Sequence, residues 1–293
     1  MANSIALAKQ YVEYLDEVYK LASLTSVLDG PSELIRAGQN AEEICIPKLS
    51  MDGQANYSRN SGFVAGDVTL TYETVKCTYD RGRMFQVDVL DNEETMGVAF
   101  GRLAGEYIRT KVAPELDAWR FARYAGTASI GTTTAAALNA GANVVAAIRV
   151  GLNAMGEGEV PETERYLFIT PTLLDMIADL DTTKSRDVLA HFAGIIRVPQ
   201  SRFYTGIVLN DGSTSGQTGG GFAKDTTNSA KDINFMIIHK PAVIQYQKHT
   251  VPKVVSPEQN QNADAWKFGY RTVGIADVYD NKVAGVYLHK KNS

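Results

Sequence analysis

Cysteine is nearly absent from this chain: Cys45 and Cys77 are the two in 293 residues. Two thiols so far apart make no zinc pattern and no disulfide framework. They could face each other across a hairpin, but two separate reduced thiols are the simpler reading. The four histidines, His191, His239, His249 and His289, lack the spacing of metal ligands. Positive charge is not in excess either, the net charge being −4. That excludes a protein whose grip on nucleic acid rests on a basic surface. No apolar run reaches membrane-spanning length, and the N-terminus lacks the basic-then-apolar layout of a signal peptide. Cytosolic synthesis is therefore the default, and the sequon Asn56-Tyr57-Ser58 reads as chance.

Catalytic signatures are missing as well. There is no Gly-x-Ser-x-Gly elbow. The run Gly216 to Gly221 matches a phosphate loop only in glycine content, because Phe222 stands where a lysine is required. Gly156-Glu157-Gly158 follows a helical pattern rather than a strand, so it fails as a dinucleotide fingerprint. Glu157, Glu159, Glu162 and Glu164 surround a turn and read as a solvated loop. Asp175, Asp179 and Asp181 read as an exposed helix face. No residue is assigned a catalytic, cofactor-binding or metal-binding role, no cofactor is implied, and the chain reads as a non-enzyme.

What is present is a globular composition, 44% hydrophobic and 21% charged. Asn3 and Ser4 can cap a first helix that carries Tyr11, Tyr14 and Tyr19 to Ala22, a face suited to a subunit contact. Ile44 to Pro47 reads as a short strand, with Pro47 suggesting an edge. Asp52 to Gly66 is a Gly- and Asn-rich tip. From Val68 the residues alternate as in a strand, and Glu43–Leu49 and Val75–Arg81 form the natural arms of a hairpin around the tip. Strand is expected to continue through Val89-Leu90. Asp91-Asn92 then starts one long amphipathic helix, Glu93 to Tyr124, kinked at Pro114. On its apolar stripe Trp119 is expected to be buried near Trp266 and Phe268.

Beyond Thr127 the texture changes to strand and helix alternation. It comprises a helix Ala142–Met155, a strand Tyr166–Ile169, a helix from Thr170-Pro171 with a capping hydroxyl, and an apolar strand Ile233–Ile238. Asn210–Asp232, rich in Gly, Ser and Thr, reads as a long mobile loop. The tail, Ala265–Leu288, reads as strands with a turn at Asp280-Asn281. A long hairpin leading into a long helix buries little against its own chain, which suits an arm laid on a neighbouring copy.

This order of parts, from about Ala41 to His289, resembles the major capsid protein of a tailed double-stranded DNA bacteriophage, the fold that herpesvirus and encapsulin shells share. The resemblance implies an α+β fold with five parts. They are an N-terminal helix and arm (1–49), an extended hairpin loop (50–83), a peripheral domain with the spine helix (84–128), an axial domain (129–250), and strands returning to the peripheral domain (251–293). It further implies that Asn210–Asp232 points at the centre of each hexamer or pentamer. The implied partners are other copies of the chain, in hexamers and pentamers of an icosahedral shell, with a portal and packaged DNA but no basic recognition site and no membrane. The segment before the arm has room for one short helix, so a separate scaffolding protein is expected. Lys48 and Lys76 flank the loop but none lies at its tip, so the crosslinking chemistry of some members is not carried over. The implied location is the virion. Two alternatives stand beside this reading: an encapsulin-type compartment shell, and an α+β enzyme with a lid at Asn210–Asp232.

Overall fold

The structure, a computed structural model, describes residues 23–30, 36–37, 43–94, 98–180 and 182–292. The helix expected over Asn3–Ala22 and the acid Asp181 lie outside them. The first sheet has the order β1 (Arg36–Ala37), β2 (Glu43–Met51), β3 (Val68–Lys76), all antiparallel. β2 and β3 make the hairpin, in register from Glu43 opposite Lys76 to Met51 opposite Val68. The second arm is therefore Val68–Lys76 and not Val75–Arg81. From Tyr79 the chain leaves the hairpin as β4 (Tyr79–Asp88), where residues 79 and 85 reach partners in the core. Cys45 lies opposite Thr74, not Cys77, and Cys77 is in no disulfide.

The long helix is irregular within the described residues. Helix α1 (Val89–Glu94) begins four residues before the expected Glu93, so Val89 and Leu90 are helical rather than strand. The cap is Asp88, whose carboxylate accepts the Leu90 amide at 2.9 Å. α2 (Val98–Tyr107) follows, then a π turn at Ile108–Val112, then α3 (Ala113–Gly126). The irregularity expected at Pro114 thus falls in the turn before it. Pro114 has no N–H for the Thr110 carbonyl, and its ring would strike that carbonyl in a regular α-helix. The widened turn removes the clash.

After β5 (Gly131–Thr132) comes α4 (Gly141–Glu157). Gly141 is required there, since any Cβ would collide with the Met176 carbonyl. β6 (Arg165–Ile169) leads into α5 (Pro171–Ala178), with Pro at its first turn. Thr170 is its N-cap residue, but its hydroxyl makes no capping bond; the Thr170 carbonyl accepts the first amides instead. α6 (Thr183–Ala190) has a full capping box between Thr182 and Ser185. Then follow β7 (Gly194–Arg197), β8 (Ile207–Leu209), β9 (Phe222–Lys224), β10 (Ile233–His239), β11 (Val243–Val255), β12 (Ala265–Val278) and β13 (Val286–Lys290).

Two further sheets organise the core. A five-stranded sheet runs β5-β13-β10-β6-β7, with every residue of β10 buried at its centre. A three-stranded sheet runs β11-β12-β4. The 251–293 tail therefore serves both: β12 pairs with β4, while β13 enters the larger sheet beside β10. The boundary expected at 250/251 falls inside β11. Helix α3 lies in the apolar cluster that joins the sheets, with Phe121 edge-on to Phe168 and Phe203 at 5.2 and 4.8 Å. A second cluster fills the space between α4, α5 and the larger sheet. Trp119 is buried, as its stripe predicts, in the cluster that includes Phe268; its ring partner is Tyr79, at 4.9 Å.

Candidate interaction surface

The hairpin is the part of the chain least supported by its own fold. From Ser50 to Tyr72 every residue except the half-buried Gly62 is exposed, on both faces of the strand pair. Nine paired positions, at about 3.4 Å each, carry it roughly 30 Å outward. Its exposed side chains are not only polar. Met51, Tyr57, Phe63, Val64, Val68, Leu70 and Tyr72 all lie in solvent, Phe63 at 89%. At the tip Ser58 and Gly62 close a tight turn, and the Tyr57 and Phe63 rings meet at 4.9 Å. Asp52 and Asp67 close its neck, the Asp67 amide donating to the Asp52 carboxylate at 2.9 Å. A lone two-stranded ribbon is marginal in water, and a contiguous exposed apolar patch marks a contact surface.

The root of the hairpin is held firmly. Alternate residues of β4 point at the helix and at the 210–221 loop. Tyr79 donates to the Glu115 carboxylate at 3.1 Å, and Arg81 donates to the same group at 2.8 Å. Burial, and then the Glu115 charge, push the Tyr79 phenol well above its usual pKa. Arg81 also reaches the Gly221 carbonyl, and Arg83 reaches those of Gly219 and Thr218 at 2.9 and 3.1 Å. Phe85 packs edge-on to Tyr107 at 4.7 Å. Together these elements enclose an open cleft of about 960 Å³.

The loop expected to be long and mobile is thus a folded flap. β9 within it pairs with β8, Asn210 donates to the Gly220 carbonyl, and the Asp211 carboxylate caps Ser213 and Thr214. The Thr214 hydroxyl and these amides pull the Asp211 carboxyl well below its usual range.

A second anchor was not foreseen from the sequence. Asp117 on α3, fully buried, accepts from the Ser23 hydroxyl at 2.8 Å, the Leu24 and Thr25 amides at 2.9 and 3.2 Å, and the Thr25 hydroxyl at 2.7 Å. Arg120 donates to the same Thr25 hydroxyl, and Gln245 donates to the Thr25 carbonyl and to Asp29. Residues 23–30 are thereby clamped to the helix and to β11. The signal for this was present: Glu115, Asp117 and Arg120 are charges interleaved with Leu116, Trp119 and Phe121, too many for one apolar stripe. They mean a helix buried all round whose charges need partners.

The remaining candidate groups stay apart. Glu157, Glu159, Glu162 and Glu164 are exposed, as are Asp175 and Asp179. His239 and His289 are buried singly, His289 stacked on Phe235 and bonded to Asn234. Burial lowers the pKa of both. Among the described residues no three His, Cys, Asp or Glu side chains gather as a metal site, and no helix is long and apolar enough to cross a membrane.

No protein-family model and no curated protein matches the sequence. Solved structures do match in fold. A chain from Gordonia phage Cozz aligns with a TM-score of 0.59 at 14% identity, over 92% of this chain and 87% of its own. A chain from the capsid structure of the cyanophage P-SCSP1u gives 0.56 at 12% identity, over 88% and 86%. The virus-like particle from Pyrococcus furiosus gives 0.51 at 12% identity, over 93% and 98%. The chain has the α+β capsid fold of these phage structures.

Proposed function

We propose that this protein is the building subunit of a closed icosahedral shell, the major capsid protein of a tailed phage, and that it is not an enzyme. The observation that carries the reading is a likeness in fold to phage structures over 88–92% of the chain, combined with a hairpin that is exposed on both faces and carries Met51, Val68, Leu70 and Tyr72 on one of them. Contacts that close make rings, and contacts between rings make a shell. On this reading the hairpin lies on an adjacent copy within hexamers and pentamers, the Asn210–Asp232 segment faces a ring centre, and residues 23–30 fix where the N-terminal arm leaves the subunit. The sheet carrying β4 and β12 is assigned to the peripheral domain and the five-stranded sheet to the axial domain. A separate scaffolding protein, a portal and packaged double-stranded DNA are the further partners. The net charge of −4 suits DNA held by confinement rather than by a basic surface. The particle is assembled in the host cytoplasm and ends in the virion.

The test is expression together with the genes that flank its own, followed by size-exclusion chromatography and negative-stain microscopy. Rings or closed shells are expected; a strictly monomeric species at high concentration would refute the reading. The likeness to the Pyrococcus virus-like particle favours, as second reading, an encapsulin-type compartment. The two separate on content: nuclease-protected double-stranded DNA inside the particles supports the capsid, an enclosed protein cargo the compartment.

A further inference from the structure

With both faces of the hairpin in solvent from residue 50 to 72, its direction depends on how its root is held. β3 ends at Lys76 and β4 begins at Tyr79, so β4 is the hairpin's mount. Four alternate residues of β4 face the helix and the flap, and Tyr79 and Arg81 share a partner in Glu115. Tyr79 meets Trp119 and Glu115, Arg81 meets Glu115 and the Gly221 carbonyl, Arg83 meets the Gly219 and Thr218 carbonyls, and Phe85 meets Tyr107. The opposite face is open, Met84 being 52% exposed. The space between β4, the helix and the flap is the open cleft and not a packed core. Packing therefore fixes the two ends of this face, at Tyr79 and Phe85, while guanidinium bonds to backbone carbonyls bridge the middle. A guanidinium is a planar, rigid donor fork, so two such bridges set a spacing and an angle that a lysine could not. Gly220 lies directly under Arg83, a Cβ there standing 2.9 Å from the guanidinium, and its φ of +66° is a left-handed conformation that favours glycine.

We infer that Arg81 and Arg83 are positioning residues: by tying β4 to the 210–221 flap they set the angle at which the hairpin leaves the subunit, and through it the curvature of the assembly. The second half of this inference rests on the shell reading above; the first half does not.

The experiment measures the two halves separately. Spin labels are placed at exposed positions 61, on the tip, and 149, on α4, in a full-length background carrying Cys45→Ser and Cys77→Ser. Electron–electron distance distributions are then recorded on unassembled subunits. A single narrow distribution is expected for the otherwise native chain. Arg81→Ala with Arg83→Ala should broaden it; since Arg81→Ala also strips the buried Glu115 carboxylate of its guanidinium, the melting temperature is expected to stay near that of the parent only for the Arg83 variants. Arg83→Gln, which alters only the exposed bridge to the flap, carries the same test should the double variant not fold. Arg83→Lys should not restore the narrow distribution. A broad distribution in the parent, or an unchanged width in the variants, overturns the positioning role. In assembly trials the variants should give particles of mixed curvature where the parent gives uniform ones. Uniform particles from a variant with a broadened distribution overturn the link to curvature. Failure of the parent to assemble at all removes the shell reading and leaves the distance result standing.

Discussion

Trp119 sits in the cluster between α3 and the β4–β12 sheet, 6% exposed. Trp119→Ala should cost about 3–5 kcal/mol and show as a lowered urea midpoint of the isolated subunit or as insoluble protein. An unchanged midpoint would place the residue at a subunit contact instead. Asp117→Ala strands the Leu24 and Thr25 amides and the Arg202 guanidinium, 3.4 Å from the carboxylate. Breaking a buried charged pair in this way costs about 3–5 kcal/mol. Amide exchange over 23–30 should accelerate by more than exchange elsewhere, and uniform acceleration would sink the idea of a local clamp. His239 and His289 make stability depend on acidity. Burial lowers their folded-state pKa below the unfolded value of about 6.5. Below that pH the unfolded chain binds protons that the folded chain refuses, so stability should fall as pH drops from about 6.5 and be regained on return. His239→Gln with His289→Gln should flatten the slope between pH 7 and 5, measured by thermal melts; an unaltered slope would assign the effect to carboxylates.

The hairpin is the element that its own subunit supports least. Deleting Asn56–Gly66 removes a tip that buries almost nothing in its own subunit, so the melting temperature should hardly move while assembly fails. Unfolding on deletion would mean that the tip is a working part of the subunit core. The hairpin's existence was legible from the period-two pattern at Val68–Glu73 and the Gly- and Asn-rich tip. Its register was not, because pairing depends on where the chain leaves the ribbon, and Tyr79's fit against Trp119 and Glu115 decides that. The long helix was legible from its stripe. The π turn at Ile108–Val112 was displaced from the expected kink because Pro114 acts on the carbonyl four residues before it.

For the whole molecule, the shell reading predicts that assembled particles melt at a higher temperature than free subunits, since contacts made only by folded chains stabilise them by mass action. Equal melting temperatures by scanning calorimetry would mean that assembly adds no such contacts. The order of elements, the hairpin, the long helix and the buried strand Ile233–Ile238 were determined by the sequence itself, since each has a local period or a local breaker. The tertiary structure alone decided the division of the tail between two sheets, the folding of the 210–221 loop into a flap, and the burial of Asp117. β12 and β13 are equally apolar, and only the positions of β4 and β10 tell them apart. A Gly-rich loop reads as mobile until arginines distant in sequence donate to its carbonyls. A helical aspartate reads as solvated until the backbone of residues 24 and 25 supplies the donors that make its burial affordable.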